Sequence, residues 1–248
     1  MLEFMWNCGI EVNASVEVPD NIHEKRTLLH RAICWGQVQV VRFLVNRDAD
    51  INIRDTKENT TFHFAAESGS VDIIKILLGE DMSVNMTNKN DYTLLHNSAK
   101  FSYLEAKQTL VERGPAINST NKYGDTLLMM AAYKGNIDIF RYLTEIGADI
   151  NIRNAKKNTA LHLAAESVSV DIINLLLDKG MSVNLKSTNN STPLHVSAKF
   201  GRLEAKKVLI GRSAPINQTN NYGNTPLMMA AYNGKLETFR YLTEKKLI

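Results

Sequence analysis

The chain has 248 residues, of which 44% are hydrophobic and 22% are charged, proportions that are typical of a folded globular protein. Its formal net charge of +3 is too small to predict a polyanionic partner by itself. The sequence contains no apolar run long enough for a transmembrane helix and no pattern of a signal peptide at its start. Only two cysteines, Cys8 and Cys34, are present, which indicates a reducing compartment, either the cytoplasm or the nucleus.

A threonine recurs at a constant spacing of 33 residues along almost the whole chain. Each copy is followed by an apolar run with small residues, as in TALHLAA at 159–165 and TPLMMAA at 225–231. The threonines are Thr27, Thr60, Thr93, Thr126, Thr159, Thr192 and Thr225. An asparagine stands eight residues before every copy except the first. Such a period predicts a repeat architecture in which each unit packs only on its neighbours.

Each unit has the pattern of two short helices followed by a turn. The threonine hydroxyl is a favourable N-cap, because it can accept a hydrogen bond from an unpaired backbone N–H. Pro193 and Pro226 then occupy the first helical position, where a missing N–H costs nothing. Apolar residues at helical spacing, such as Ile172, Ile173 and Leu176, predict a second helix. The pattern therefore predicts an inner helix, an outer helix and an extended hairpin in every unit.

These residues resemble the ankyrin repeat, a 33-residue unit whose pattern begins T-P-L-H-x-A-A and ends G-A-D-x-N. The fullest match is NTALHLAAE at 158–166 together with LLLDKGMSVN at 175–184. The resemblance implies an all-α repeat fold, an ankyrin-type solenoid of helix pairs joined by β-hairpin-like loops. It also implies a monomeric, non-catalytic scaffold that binds a partner protein or peptide.

The repeat register divides the chain into units of one continuous solenoid domain. Residues 1–25 are expected to hold the end of an outer helix and a longer connecting loop. The following units span residues 26–58, 59–91, 92–124, 125–157, 158–190 and 191–223, and an incomplete unit spans 224–248. Because both ends fall inside a unit, the register leaves open that the chain is part of a longer array.

A second period of 99 residues relates two blocks of three repeats. Residues 59–149 and 158–248 are identical at 52 of 91 aligned positions. Duplication of a block explains this identity. Selection for a shared surface is the alternative that the sequence leaves open.

The resemblance also indicates where a partner would dock, since similar proteins use hairpin tips and the inner-helix residues after the alanine pair. Aromatic side chains recur at these positions beside lysines, and aromatic residues dominate binding hot spots. We therefore expect a concave groove that binds a protein or peptide with acidic groups. The expected contact residues are Trp35, Lys57, Glu67, Lys89, Tyr92, Lys100, Phe101, Lys122, Tyr123, Tyr133, Lys134, Glu166, Lys199, Phe200, Tyr222 and Tyr232. The alternative is that these rings fill gaps between inner helices and hairpins.

Recurrent histidines raise the question of a metal site. They are His30, His63, His96, His162 and His195. Successive copies would lie about 10 Å apart along the stack, whereas zinc ligands lie about 2 Å from the metal. We therefore predict no metal site, and we expect the histidines to bond to nearby backbone.

Enzymatic chemistry has no support in the sequence either. No phosphate-binding loop or metalloprotease helix occurs, and no catalytic triad has a motif context, so we expect neither an enzyme nor a cofactor. A nucleic acid partner is not expected, because no strong basic stripe is visible. Two alternatives to a binding scaffold remain open. The chain could be the targeting or regulatory segment of a larger enzyme or effector, or it could be a structural spacer.

Overall fold

The computed structural model describes residues 11–18, 21–79, 83–98, 104–167 and 169–246. The chain divides into two compact units that each contain several repeats. The first unit is Met1–Ala116 and the second unit is Ile117–Ile248. The described residues form fourteen α-helices and one two-stranded sheet. The helices follow one another as inner and outer pairs, so the predicted all-α repeat fold is confirmed.

The first unit begins with an antiparallel pair of strands, β1 (Ser15–Val18) and β2 (Asn21–Thr27). Three helix pairs follow: α1 (Leu28–Cys34) with α2 (Val38–Val45), α3 (Thr61–Ser68) with α4 (Val71–Leu78), and α5 (Leu94–Ser98) with α6 (Leu104–Val111). The inner helices α1, α3 and α5 pack in chain order, and the outer helices α2, α4 and α6 do the same. The sequence predicted only a long connection where the two strands lie.

The second unit contains four helix pairs. They are α7 (Leu127–Lys134) with α8 (Ile137–Glu145), α9 (Ala160–Glu166) with α10 (Val170–Asp178), α11 (Pro193–Phe200) with α12 (Leu203–Gly211), and α13 (Pro226–Tyr232) with α14 (Leu236–Lys246). The inner helices α7, α9, α11 and α13 pack in chain order. Each helix is too short to be stable alone in water, so packing on neighbouring repeats stabilises it.

Small residues allow the inner helices of the second unit to approach closely. Ala131 and Ala132 of α7 and Ala164 and Ala165 of α9 are at most 1% exposed. Larger apolar side chains fill the layer between inner and outer helices, and Phe140 of α8 is completely buried. The core of this unit is therefore a thin layer to which its successive repeats contribute, as expected for a repeat protein.

The asparagine that precedes each threonine by eight residues connects neighbouring repeats. Asn85 Oδ1 accepts a hydrogen bond from the Ala116 N–H at 2.9 Å in the first unit. Asn118 Oδ1 accepts one from the Asp149 N–H at 2.9 Å in the second unit. The recurrence of this asparagine thus has a structural cause, because its side chain fixes the start of the next hairpin.

The hairpins place one residue in the left-handed region of backbone conformation, again every 33 residues. Gly124 and Gly223 adopt this conformation with φ of 76° and 73°. Residues that carry a side chain adopt it in other repeats with φ between 53° and 61°, namely Glu58, Asp91, Lys157 and Asn190. Such a backbone costs an L-residue about 1 kcal/mol, so the hairpin geometry overrides the local preference.

Candidate partner-binding groove

The histidine of a typical repeat completes a reciprocal cap with the threonine. His162 Nδ1 accepts the Thr159 N–H at 3.2 Å, and His162 Nε2 lies 3.2 Å from the carbonyl oxygen of Ser191 in the next hairpin. Burial lowers the pKa of His162 to about 4, so the ring is neutral. His63 and His195 contact the following hairpin in the same way. The prediction that these histidines bond to nearby backbone is confirmed.

The same hydrogen bonds occupy the ring nitrogens through which three of these histidines could bind a metal. The rings of His63, His162 and His195 use Nδ1 on the cap and Nε2 on a carbonyl oxygen, so both nitrogens of these three rings are occupied. In the part of the chain that the structure describes, no cluster of three or more histidine, cysteine, aspartate or glutamate residues could hold a metal ion.

The second unit has a cleft of about 570 Å³ between hairpins and inner helices. Hairpin residues 155–158, 187–191 and 220–224 contribute one part of its lining. The C-terminal ends of α9 and α11 contribute another part. Four of the predicted contact residues line this cleft together: Glu166, Lys199, Phe200 and Tyr222.

The charged groups of the cleft come from three different segments. Lys156 lies on a hairpin, Glu166 ends α9, and Lys199 lies in the last turn of α11. Both lysines are exposed, whereas Glu166 is half-buried. Burial raises the pKa of the Glu166 carboxyl, and the positive charges of Lys199, Lys156 and Arg202 oppose that rise. The negative charge of Asp125 adds to the rise, so three positive groups and one negative group act on this carboxyl.

The aromatic groups of the cleft differ in how much surface they offer. Phe200 is half-buried, and Lys199 Nζ lies 5.2 Å from its ring centroid. Tyr222 is 71% exposed at the hairpin. Gap filling therefore accounts for part of the Phe200 ring, while Tyr222 presents most of its surface to solvent.

Hydrogen bonds hold the hairpins that line the cleft in fixed positions. Asn220 Oδ1 accepts the N–H groups of Tyr222 and Asn224 at 3.0 and 3.1 Å. The Thr188 N–H donates to the Lys156 carbonyl oxygen of the preceding hairpin at 2.9 Å. The cleft is therefore lined by an ordered backbone, which reduces the entropy lost on binding.

Other predicted contact residues of the second unit are exposed but do not line the cleft. Lys122 Nζ lies 5.0 Å from the Tyr123 ring centroid, and Lys134 Nζ lies 6.0 Å from that of Tyr133. The exposed fractions of Tyr123, Tyr133 and Tyr232 are 52%, 48% and 82%. The structure thus exposes these rings, and it brings only a subset of the predicted residues into one site.

The predicted residues of the first unit are more dispersed. Trp35 is 68% exposed after α1. Lys57 and Lys89 are exposed on successive hairpins, where the Lys89 N–H donates to the Lys57 carbonyl oxygen at 3.0 Å. Glu67 and Tyr92 are half-buried.

Three of the first-unit predictions are affected by packing or by position. The Tyr92 ring lies against His96 with centroids 5.8 Å apart, so packing on the next inner helix uses part of its surface. The predicted contact residues Lys100 and Phe101 lie outside the described residues.

Two features of the cleft were missed by the sequence analysis. Amide groups of Asn158, Asn189 and Asn220 also line it. In addition, the whole-chain charge of +3 conceals a strong asymmetry. The second unit has 17 Lys and Arg against 10 Asp and Glu, a formal charge of +7, and the first has 12 against 16, a formal charge of −4. Counting charge by unit would have revealed it.

Helix pairs with threonine caps, linked by hairpins that border an open cleft, define a class of helical repeat protein. A family model described as ankyrin repeats (three copies) matches residues 29–121, 62–154, 95–187 and 161–247. The chain therefore belongs to the ankyrin repeat family, whose members are in general protein–protein interaction modules. No curated protein sequence matches the chain. Within the described ranges, no helix combines the length and apolar character needed to cross a bilayer.

Proposed function

We propose that the chain is a non-catalytic scaffold that binds a partner protein or peptide in the cleft of its second unit. The observation that carries this proposal is the convergence of Glu166, Lys199, Phe200 and Tyr222 from two inner helices and a hairpin. We place this interaction in the cytoplasm, where a chain with two cysteines keeps its thiols reduced.

The composition of the cleft suits an extended polypeptide segment. Tyr222 and Phe200 offer aromatic surface, and tyrosine is frequent among the residues that dominate binding energy. Asparagine side chains and lysine ammonium groups offer hydrogen-bond donors. Since hydrogen bonds already fix the hairpins, a partner would bind to a preorganised surface.

The test starts from partner capture with the full chain, followed by purification of each captured protein. Calorimetry then compares the affinity of the unmodified chain with that of two double variants. The cleft variant carries Lys199→Ala and Tyr222→Ala. The control variant carries Arg141→Ala and Lys179→Ala, which remove exposed side chains in and just after outer helices.

We expect the cleft variant to bind at least about tenfold more weakly, because truncation of a hot-spot residue costs about 2 kcal/mol. The control variant should bind as the unmodified chain does. Equal affinities for all three chains would refute a binding role for the cleft. A chain that acts only as a spacer would give no partner whose affinity depends on the cleft.

A further inference from the structure

The charge distribution around the cleft indicates the chemistry of its partner. The unit that contains the cleft has a formal charge of +7. Such an excess raises the local concentration of anionic partners and increases their association rate. Lys156 and Lys199 bring this charge into the cleft itself, and both side chains are exposed.

The neutral lining can bind a carboxylate ligand, and the two lysines disfavour a cationic one. Amide groups from Asn158, Asn189 and Asn220 lie beside hydroxyl groups from Ser187 and Thr188. Amides and hydroxyls can donate hydrogen bonds to carboxylate oxygens, as the two ammonium groups can. A cationic segment would instead meet two positive charges.

Glu166 already places a carboxylate in this environment. It is half-buried at the end of α9, and the positive charges of Lys199, Lys156 and Arg202 act on it. An incoming carboxylate would interact with the same two lysines. Glu166 is therefore an internal group that competes with an anionic ligand for them.

We propose that the cleft binds an acidic peptide segment, in which a carboxylate pairs with Lys156 and Lys199 while an adjacent apolar side chain packs on Phe200 and Tyr222. The negative charge of Glu166 partly offsets the charge of these lysines in the free protein and weakens binding. This inference rests on the proposed function and adds the chemistry of the partner to it.

A nucleic acid is the other anionic partner to consider, and the cleft is less suited to it. Binding of single strands relies on a continuous basic groove with aromatic side chains that stack on successive bases. The half-buried carboxylate of Glu166 interrupts the positive charge and would repel a phosphate backbone. Phe200 is also half-buried, which limits stacking on its ring.

The experiment uses fluorescein-labelled octapeptides in which leucine alternates with glutamate, with glutamine or with lysine. Fluorescence polarisation measures their binding to the full chain at low and at raised salt. We expect the glutamate peptide to bind most tightly and to weaken with salt, because exposed ion pairs are screened. A labelled oligothymidylate of similar length serves as the nucleic acid probe.

Substitutions test the assignment of each charge. Lys156→Gln and Lys199→Gln should each weaken glutamate-peptide binding about two- to fivefold, the range expected for one exposed ion pair. Glu166→Gln should strengthen it by a similar factor. Lys179→Gln lowers the net charge by one, as the other two lysine substitutions do, but at an exposed site just after α10, and it should leave the affinity unchanged.

Equal binding of the glutamate and glutamine peptides would overturn the acidic preference and leave the proposed function intact. The same conclusion follows if no peptide binds while a captured partner still loses affinity in the cleft variant. Tighter binding of the oligothymidylate, reduced by the same lysine substitutions, would overturn the assignment to a peptide. Unchanged binding by Glu166→Gln would overturn the role of Glu166 as a competitor.

Discussion

Lys206 donates a hydrogen bond from Nζ to the carbonyl oxygen of Thr238 at 3.2 Å, and the lysine side chain is completely buried. Its ammonium group also lies 4.6 Å from the ring centroid of Tyr241. Phe140 and Ile173 occupy the equivalent position two repeats and one repeat earlier, and both are buried. A cation thus replaces an apolar side chain in the layer between the last helix pairs.

This replacement predicts that Lys206→Met stabilises the protein. Burial, with a smaller contribution from the charge of Lys207, lowers the pKa of Lys206 to about 8. Replacement of a buried charge by an apolar side chain is often neutral or stabilising, and we expect a gain of about 1–3 kcal/mol at pH 7. Urea denaturation measures the free energy of unfolding, and Lys179→Met, which replaces an exposed lysine just after α10, serves as the control.

The pH dependence gives a second readout for Lys206. Because its pKa is lower in the folded state than its ordinary value of 10.5, the unfolded chain binds more protons between pH 8 and 10.5. The stability of the unmodified chain should therefore rise across this window relative to that of Lys206→Met. A constant difference between the two chains would contradict a buried, titrating lysine.

The capping histidines predict a loss of stability in mild acid. Burial lowers the pKa values of His63 and His162 from 6.5 to about 4, so the unfolded chain is protonated first as the pH falls. Stability is fully present above pH 6.5 and decreases towards pH 4. Each histidine should contribute about 3 kcal/mol to the loss, since one pKa unit corresponds to about 1.4 kcal/mol.

The variant that isolates this effect is His162→Gln. Glutamine at the third helical position can accept the same backbone N–H in a capping box, but it does not titrate. Thermal unfolding between pH 7 and pH 4 should therefore show a shallower decrease for the variant. An unchanged pH profile would show that the His162 ring is not the protonated group.

Two glycines in equivalent hairpins should respond differently to substitution by alanine. Gly124 and Gly223 both have positive φ, so alanine at either position is strained by about 1 kcal/mol. A Cβ at Gly124 would also lie 2.6 Å from the Ala155 backbone nitrogen, whereas one at Gly223 would have no neighbour within 4 Å. Gly124→Ala should therefore lower the free energy of unfolding by about 1–3 kcal/mol more than Gly223→Ala does. Equal losses in chemical denaturation would contradict the close approach.

The left-handed lysine in another hairpin predicts a stabilising change to glycine. Lys157 has a φ of 54°, a conformation that glycine adopts without strain. Lys157→Gly removes this strain but also increases the conformational entropy of the unfolded chain, which opposes folding. The net result should be a rise in the free energy of unfolding of up to about 1 kcal/mol. Lys156→Gly is the matched control in the same hairpin and should lower it. A melting temperature that falls for both variants would exclude the strain.

The local structure of this chain could be predicted from its sequence, because it depends on residues that are close to one another along the chain. Thr159 caps α9 through a group only three residues away, and the apolar spacing of Ile172, Ile173 and Leu176 placed them in a second helix. The strands β1 and β2 were missed because they lie where the repeat pattern is interrupted. The left-handed Lys157 was missed because nothing in a lysine indicates positive φ.

The sequence by itself determined the repeat, its register and the pairing of helices. A threonine cap, with alanine or serine five residues after it, recurs every 33 residues and permits close stacking of one repeat on the next. Only the tertiary structure decided which predicted contact residues share a site. Glu166, Lys199 and Tyr222 meet because two successive repeats bring distant segments to one cleft. The tertiary structure likewise decided how much of each aromatic ring is exposed. Neighbours in other repeats determine how much of a ring such as Phe200 they cover.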